Sequence, residues 1–156
     1  MFHSIFTERM YYSDLSQECQ VDSGPYVRAV GWLSRAHAFS TGGVSPDFVN
    51  TLRRHIRAAW QPVAAGGMYR CEFCLSRTDG GITGGSGNVW IPTADVIYVA
   101  PELVLHYIEA HSYRPPTGFV AAVLDCPEQN SEAFRLRMQR FPGWWAKCLA
   151  DSSNTA

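Results

Sequence analysis

Two short motifs constrain this chain more than anything else in it: Cys71-Glu72-Phe73-Cys74 and, about 30 residues later, a pair of histidines at His106 and His111. A CxxC lets a short turn aim two sulfurs at one ion, with the backbone amides inside the turn supporting the thiolates. Two thiolates and two imidazoles suit the borderline-soft Zn2+, in a tetrahedral set that leaves no position open for substrate. The expected ligands are therefore Cys71, Cys74, His106 and His111, and the expected cofactor is one structural Zn2+. The competing use of a CxxC, a thioredoxin-like redox pair, opens a helix after a strand in a βαβ setting. Here a glycine-rich stretch, Thr78 to Gly87, follows instead and leads into strand-like segments. The gap between the pairs exceeds the linker of a DNA-reading zinc finger, so the second half-site belongs to a larger domain.

The histidine spacing sets a geometric condition. On a regular α-helix five steps of 100° separate two side chains by about 140°, too wide for easy convergence on one ion. The pair can meet only if the last turn of the helix is tightened or unwound, as zinc fingers with Hx3-5H spacing do. Pro115 and Pro116 give the helix a reason to end just after His111, because they remove donors and bias Arg114 away from the helical region.

The remaining elements read from periodicity. Tyr26 to Leu33 alternates like a half-buried strand, with Val27, Ala29, Gly31 and Leu33 on one side. Ser45 is a helix N-cap with Pro46 at the first position, and Phe48, Leu52, His55, Ile56 and Ala59 carry that helix to about Trp60. Met68 to Glu72, Asn88 to Ile91 and Val96 to Val99 read as strands, the last two joined as a hairpin around Pro92-Thr93-Ala94-Asp95. Pro101 is expected to open the helix that carries both histidines, Pro116 and Thr117 a second one, and Asn130 or Ser131 to cap a last one. Strands in the metal region followed by helices favour an α+β fold over βαβ alternation: a small antiparallel sheet with packed helices, stapled by one structural zinc. The expected organisation is a loosely attached arm over residues 1–25, one zinc-stabilised domain over 26–150 and a polar tail over 151–156.

Composition bounds the function classes. Hydrophobic residues make up 46% and charged residues 17%, the balance of a folded domain. A formal net charge of -1 lacks the basic field that drives non-specific nucleic-acid binding, so a nucleic-acid partner is not expected. No stretch approaches the roughly 20 apolar residues of a membrane span, and the opening residues lack the unbroken apolar run of a secretory signal. The expected setting is the cytoplasm, where thiols stay reduced and paired cysteines signal metal rather than a disulfide. Cys126 and Cys148 are reserve ligands, and Cys19 lies in the arm.

The run from Ala100 to Phe119, APELVLHYIEAHSYRPPTGF, together with CEFC, NVWIP and VGWL, resembles a group of small uncharacterised bacterial proteins. Those proteins share a CxxC, a strand pair and HYIxxHxYxPP in that order. The resemblance covers roughly Val30 to Met138 and implies that these positions form one zinc-binding constellation; it implies no activity.

Three function classes follow. The leading one is a zinc-stabilised domain that binds a protein partner, with Tyr98, Tyr107, Tyr113, Trp90, Trp144 and Trp145 as candidate contacts because aromatics dominate binding hot spots. A zinc hydrolase would need an open coordination position and a general base, for which Glu109 and Glu102 are the candidates. HYIEAH is not the HExxH motif, and no GxSxG nucleophile elbow occurs. A nucleic-acid-binding zinc module would rely on Arg53, Arg54, Arg57, Arg70 and Arg77.

Overall fold

The computed structural model describes residues 11–61, 69–74, 84–85 and 87–143. Their elements, in chain order, are β1 (Val27–Ala29), α1 (Pro46–Arg57), β2 (Tyr69–Arg70), β3 (Gly84–Gly85), β4 (Asn88–Pro92), β5 (Ile97–Pro101), α2 (Val104–His111), α3 (Thr117–Asp125) and α4 (Glu132–Gln139). The fold is α+β, with a three-stranded sheet in the order β1-β5-β4. Met68, Arg77, most of the glycine-rich stretch, Trp144, Trp145, Cys148 and the tail over 151–156 lie outside the described residues.

The sheet is mixed, which corrects the expectation of a purely antiparallel one. β4 and β5 form the expected antiparallel hairpin, but β1 runs parallel to β5, with Val27 opposite Ile97 and Ala29 opposite Val99. Alternation reveals which side of a strand is buried and carries no sign of the direction of its neighbour. β1 is also shorter than expected. It stops at Ala29, and Gly31 has a φ of +78°, so Val30 and Trp32 are buried as well as Val27 and Ala29. The strand expected over Met68 to Glu72 is not part of this sheet. Tyr69 and Arg70 pair instead with Gly85 and Gly84 in a separate two-stranded ribbon, and Glu72 lies in the turn beyond it.

β4 is an edge strand whose outer side is closed by side chains. The Asn88 N–H donates to Gln61 Oε1 at 3.2 Å, and its carbonyl accepts from Gln61 Nε2 at 3.0 Å. The Trp90 carbonyl accepts from Gln129 Nε2, and the Pro92 carbonyl from the Arg137 guanidinium. Amide and guanidinium groups thus satisfy backbone that would otherwise offer a template for another strand.

The helices follow local chemistry, with two shifts. Ser45 caps α1 by accepting from the Phe48 N–H at 3.2 Å, and Ser131 caps α4 in the same way through Phe134. α1 ends at Arg57 rather than near Trp60, because the Trp60 N–H turns away to donate to Gln129 Oε1. Pro101 does not open α2. It closes β5 opposite Asn88, and the Glu102 N–H continues the ladder to the Gly87 carbonyl, which delays the helix until Val104. The core lies between the sheet and the helices, with Trp32, Trp90, Tyr113, Phe48 and Phe119 the largest fully buried side chains among the described residues.

Residues 11–25, expected as part of a loose arm, run along the outer side of β1. The Leu15 N–H donates to the Ala29 carbonyl, and the Ala29 N–H to the Ser16 carbonyl. Asp14 accepts from the Gly31 N–H at 3.1 Å and from the Tyr113 hydroxyl at 2.7 Å. Cys19 is buried and Tyr12 packs edge-on against Trp32, but the segment has no hydrophobic period, so periodicity reveals neither these contacts nor its backbone and carboxylate hydrogen bonds.

Candidate metal centre

β2 delivers the chain into a turn at Cys71, where the Cys74 N–H donates to the Cys71 carbonyl at 3.2 Å. This closes the CxxC and places both sulfurs on one side. The turn is anchored at its middle: the Glu72 carboxylate accepts from the Arg35 N–H, just past the end of the β1 region. Phe73 lies against Phe39, Tyr107 and the His111 ring, with centroids 5.2 to 6.0 Å apart. Both cysteines are buried.

α2 brings the two imidazoles from the opposite side, and its C-terminus meets the geometric condition set by their spacing. The Ser112 N–H bonds to the Tyr107 carbonyl, five residues back rather than four, and Ser112 itself is left-handed with a φ of +57°. The Tyr113 N–H reaches the same carbonyl. A turn closed over five residues advances fewer degrees per residue than an α-turn, so His111 falls short of the wide separation from His106 that a regular helix imposes.

The result is a four-residue cluster. Cys74 Sγ lies 3.3 Å from His106 Nε2 and 3.4 Å from His111 Nε2, while Cys71 Sγ lies 3.3 Å from His111 Nε2. All four ligand atoms fall within 4.8 Å of one another. Zn–S bonds of about 2.3 Å and Zn–N bonds of about 2.0 Å at tetrahedral angles put sulfur and nitrogen roughly 3.5 Å apart, so the spacing fits one such ion. Burial pushes the Cys71 thiol up to about 11, against the opposing pull of the Cys74 and Phe73 amides aimed at its sulfur. A cation at the centre of the cluster would reverse that cost by pairing with the thiolates.

The other candidates sit apart from the cluster. Glu109 forms an ion pair with Arg53 of α1 at 3.0 Å. Glu102 lies across Gly85 and Gly87, so close that a Cβ at Gly85 would collide with its carboxylate. Cys19 is buried in the docked N-terminal segment. Cys126, at the end of α3, lines a cavity with His55 and has its thiol raised by burial to about 12. Of the aromatic contact candidates, Trp90, Tyr107 and Tyr113 are buried and Tyr98 is half-buried, so these serve the core. Arg54, Arg57 and Arg70 are exposed. Sequence reasoning missed the supports of the centre, Arg35 and Phe39, which lie in a loop with no periodic signal.

Among the described residues, no helix is long and apolar enough to cross a membrane. The model of a family described as Domain of unknown function (DUF7919) matches residues 10–124, most of the chain, and the chain belongs to that family. No curated protein and no solved structure matches it.

Proposed function

We propose that this member of the DUF7919 family is a cytoplasmic zinc-binding protein in which Cys71, Cys74, His106 and His111 hold one structural Zn2+. The observation that supports this reading is the convergence of four N and S ligand atoms, from a strand-bound turn and a helix, within 4.8 Å. Such a set fills the tetrahedral coordination of zinc and leaves no place for a reactive water. The ion clamps α2 to the ribbon and turn that precede the sheet hairpin. The domain then acts by presenting a stapled surface to a protein partner.

A hydrolase reading would need a carboxylate free to act beside the metal. The engagement of Glu109 by Arg53 weighs against it. The test is metal analysis of the untagged protein with X-ray absorption at the zinc edge. One equivalent of zinc with two sulfur and two nitrogen neighbours supports the structural reading. A three-ligand site with a bound water, together with zinc-dependent turnover of ester, phosphate or peptide substrates, would replace it.

A further inference from the structure

Away from the cysteine–histidine cluster, α1 buries a second kind of histidine. His55 is 6% exposed, and both of its ring nitrogens are engaged. Nε2 lies 3.2 Å from the Val123 carbonyl of α3, and Nδ1 lies 3.4 Å from Gln129 Nε2. A carbonyl only accepts, so Nε2 carries a proton.

The state of Nδ1 is set by groups farther away. Gln129 Oε1 accepts from the Trp60 N–H at 3.1 Å, and Gln129 Nε2 donates to the Trp90 carbonyl at 3.2 Å. These two backbone groups allow one orientation of the Gln129 amide, with its NH2 toward His55. Nδ1 must then accept, and His55 is the neutral Nε2–H tautomer.

We propose that His55 and Gln129 form an acid-sensitive latch: a proton taken up at Nδ1 turns the Gln129 amide and releases the end of α1 and the edge of β4 together. Imidazolium presents N–H at both nitrogens, so Nδ1–H would face the Gln129 NH2, donor against donor. Turning the amide brings Oε1 to Nδ1 but sets Oε1 against the Trp90 carbonyl and NH2 against the Trp60 N–H. No single orientation satisfies the protonated ring and both backbone groups.

The surroundings place the switch on the acid side. Burial lowers the pKa of His55 below its ordinary 6.5; the Val123 carbonyl acts in the opposite direction, Arg54 on the same helix adds to the lowering, and Glu128 opposes it. Arg54 of α1 and Cys126 and Glu128 of the loop after α3 line the cavity beside His55. On α3, Asp125 is held in an ion pair with Arg137 of α4 at 3.2 Å, and on α2, which also packs against α1, Glu109 is held by Arg53. β4 carries no ionisable side chain, and its Trp90 carbonyl accepts from Gln129. A cavity of about 530 Å³ lined by Thr51, Arg54, His55, Cys126 and Glu128 gives water access to the ring. The latch does not rest on the metal reading.

The test is 15N NMR of the full-length protein between pH 7.5 and about 4.5, following the His55 imidazole nitrogens and the Trp60 backbone amide. Both should move with one midpoint below that of a free imidazole. In Gln129→Glu the carboxylate can accept from imidazolium and from the Trp60 N–H at once, and the His55 midpoint should rise by about one pH unit or more. His55→Gln should abolish the Trp60 step. A Trp60 amide that stays fixed while His55 titrates overturns the latch, as does a Trp60 step that persists in His55→Gln, the result expected if acid acts through the cysteine–histidine cluster. Should His55→Gln fail to fold, an unchanged His55 midpoint in Gln129→Glu would be equally decisive against it.

Discussion

Replacing Gly31 by alanine tests how β1 and the helix that carries His106 and His111 are joined. Gly31 has a φ of +78°, and a Cβ built on it would lie 2.7 Å from Val104 Cγ2, 3.2 Å from Val104 Cβ and 3.7 Å from the Tyr113 ring. Val104 is fully buried at the start of α2, two residues before His106, and has no room to retreat. A left-handed backbone costs a non-glycine residue about 1–2 kcal/mol, and forcing a methyl into a packed contact about 1–3 kcal/mol. Gly31→Ala should therefore destabilise the fold by about 2–5 kcal/mol. For a chain of this size that is a fall in Tm on the order of 10 °C. Urea unfolding followed by tryptophan fluorescence would measure it, because Trp32 is buried next to the substituted position. Adding Val104→Ala should relieve the contact but not the backbone strain, so the double variant should lose less than the sum of the single losses, with a coupling of about 1–3 kcal/mol. A Gly31→Ala variant within about 0.5 kcal/mol of the parent, or strictly additive losses, would refute the reasoning.

Four further outcomes are expected. Cys71→Ser or His106→Ala should abolish stoichiometric zinc and cost several kcal/mol, less than the roughly 10–16 kcal/mol of isolated finger peptides because a larger core persists; metal analysis and thermal melts check both. Chelation should raise hydrogen exchange across Tyr69–Tyr113 more than in α1, and uniform protection in both states would show that the ion is no staple. Zinc affinity should weaken as pH falls: burial raises the metal-free Cys71 thiol above its ordinary value, so binding displaces its proton, and each displaced proton makes Kd rise about tenfold per unit of acidification. Competition with a chromogenic chelator at several pH values measures that slope. Glu109→Gln should keep the zinc and lose at most about 1 kcal/mol, as expected for a partly exposed ion pair; loss of the metal would return Glu109 to the site.

The local chemistry of this protein is written in its sequence. The Ser45-Pro46 and Ser131 starts need only a hydroxyl and the first-turn N–H groups, and both formed where those residues stand. The β4–β5 hairpin is likewise a matter of two short apolar runs and a four-residue turn. The association of Cys71 and Cys74 with His106 and His111 was legible because ligand chemistry selects the residue types whatever chain lies between them.

What depended on tertiary structure is whatever involves distant partners. β1 runs parallel to β5 across a connection that includes α1 and the cysteine turn, and no local period records that direction. Pro101 ended a strand rather than opening a helix because Asn88 and Gly87 occupy its ladder, overriding a favourable helix start. The N-terminal segment docked through Asp14 on Gly31 and Tyr113, and Gln129 joined His55 of α1, Trp60 in the loop after it and Trp90 of β4. Such hydrogen bonds rest on one side chain meeting a backbone group or a second side chain far away in the chain. Hydrophobic periodicity records which face is buried, whereas the identity of the polar partner is decided only when the chain closes on itself.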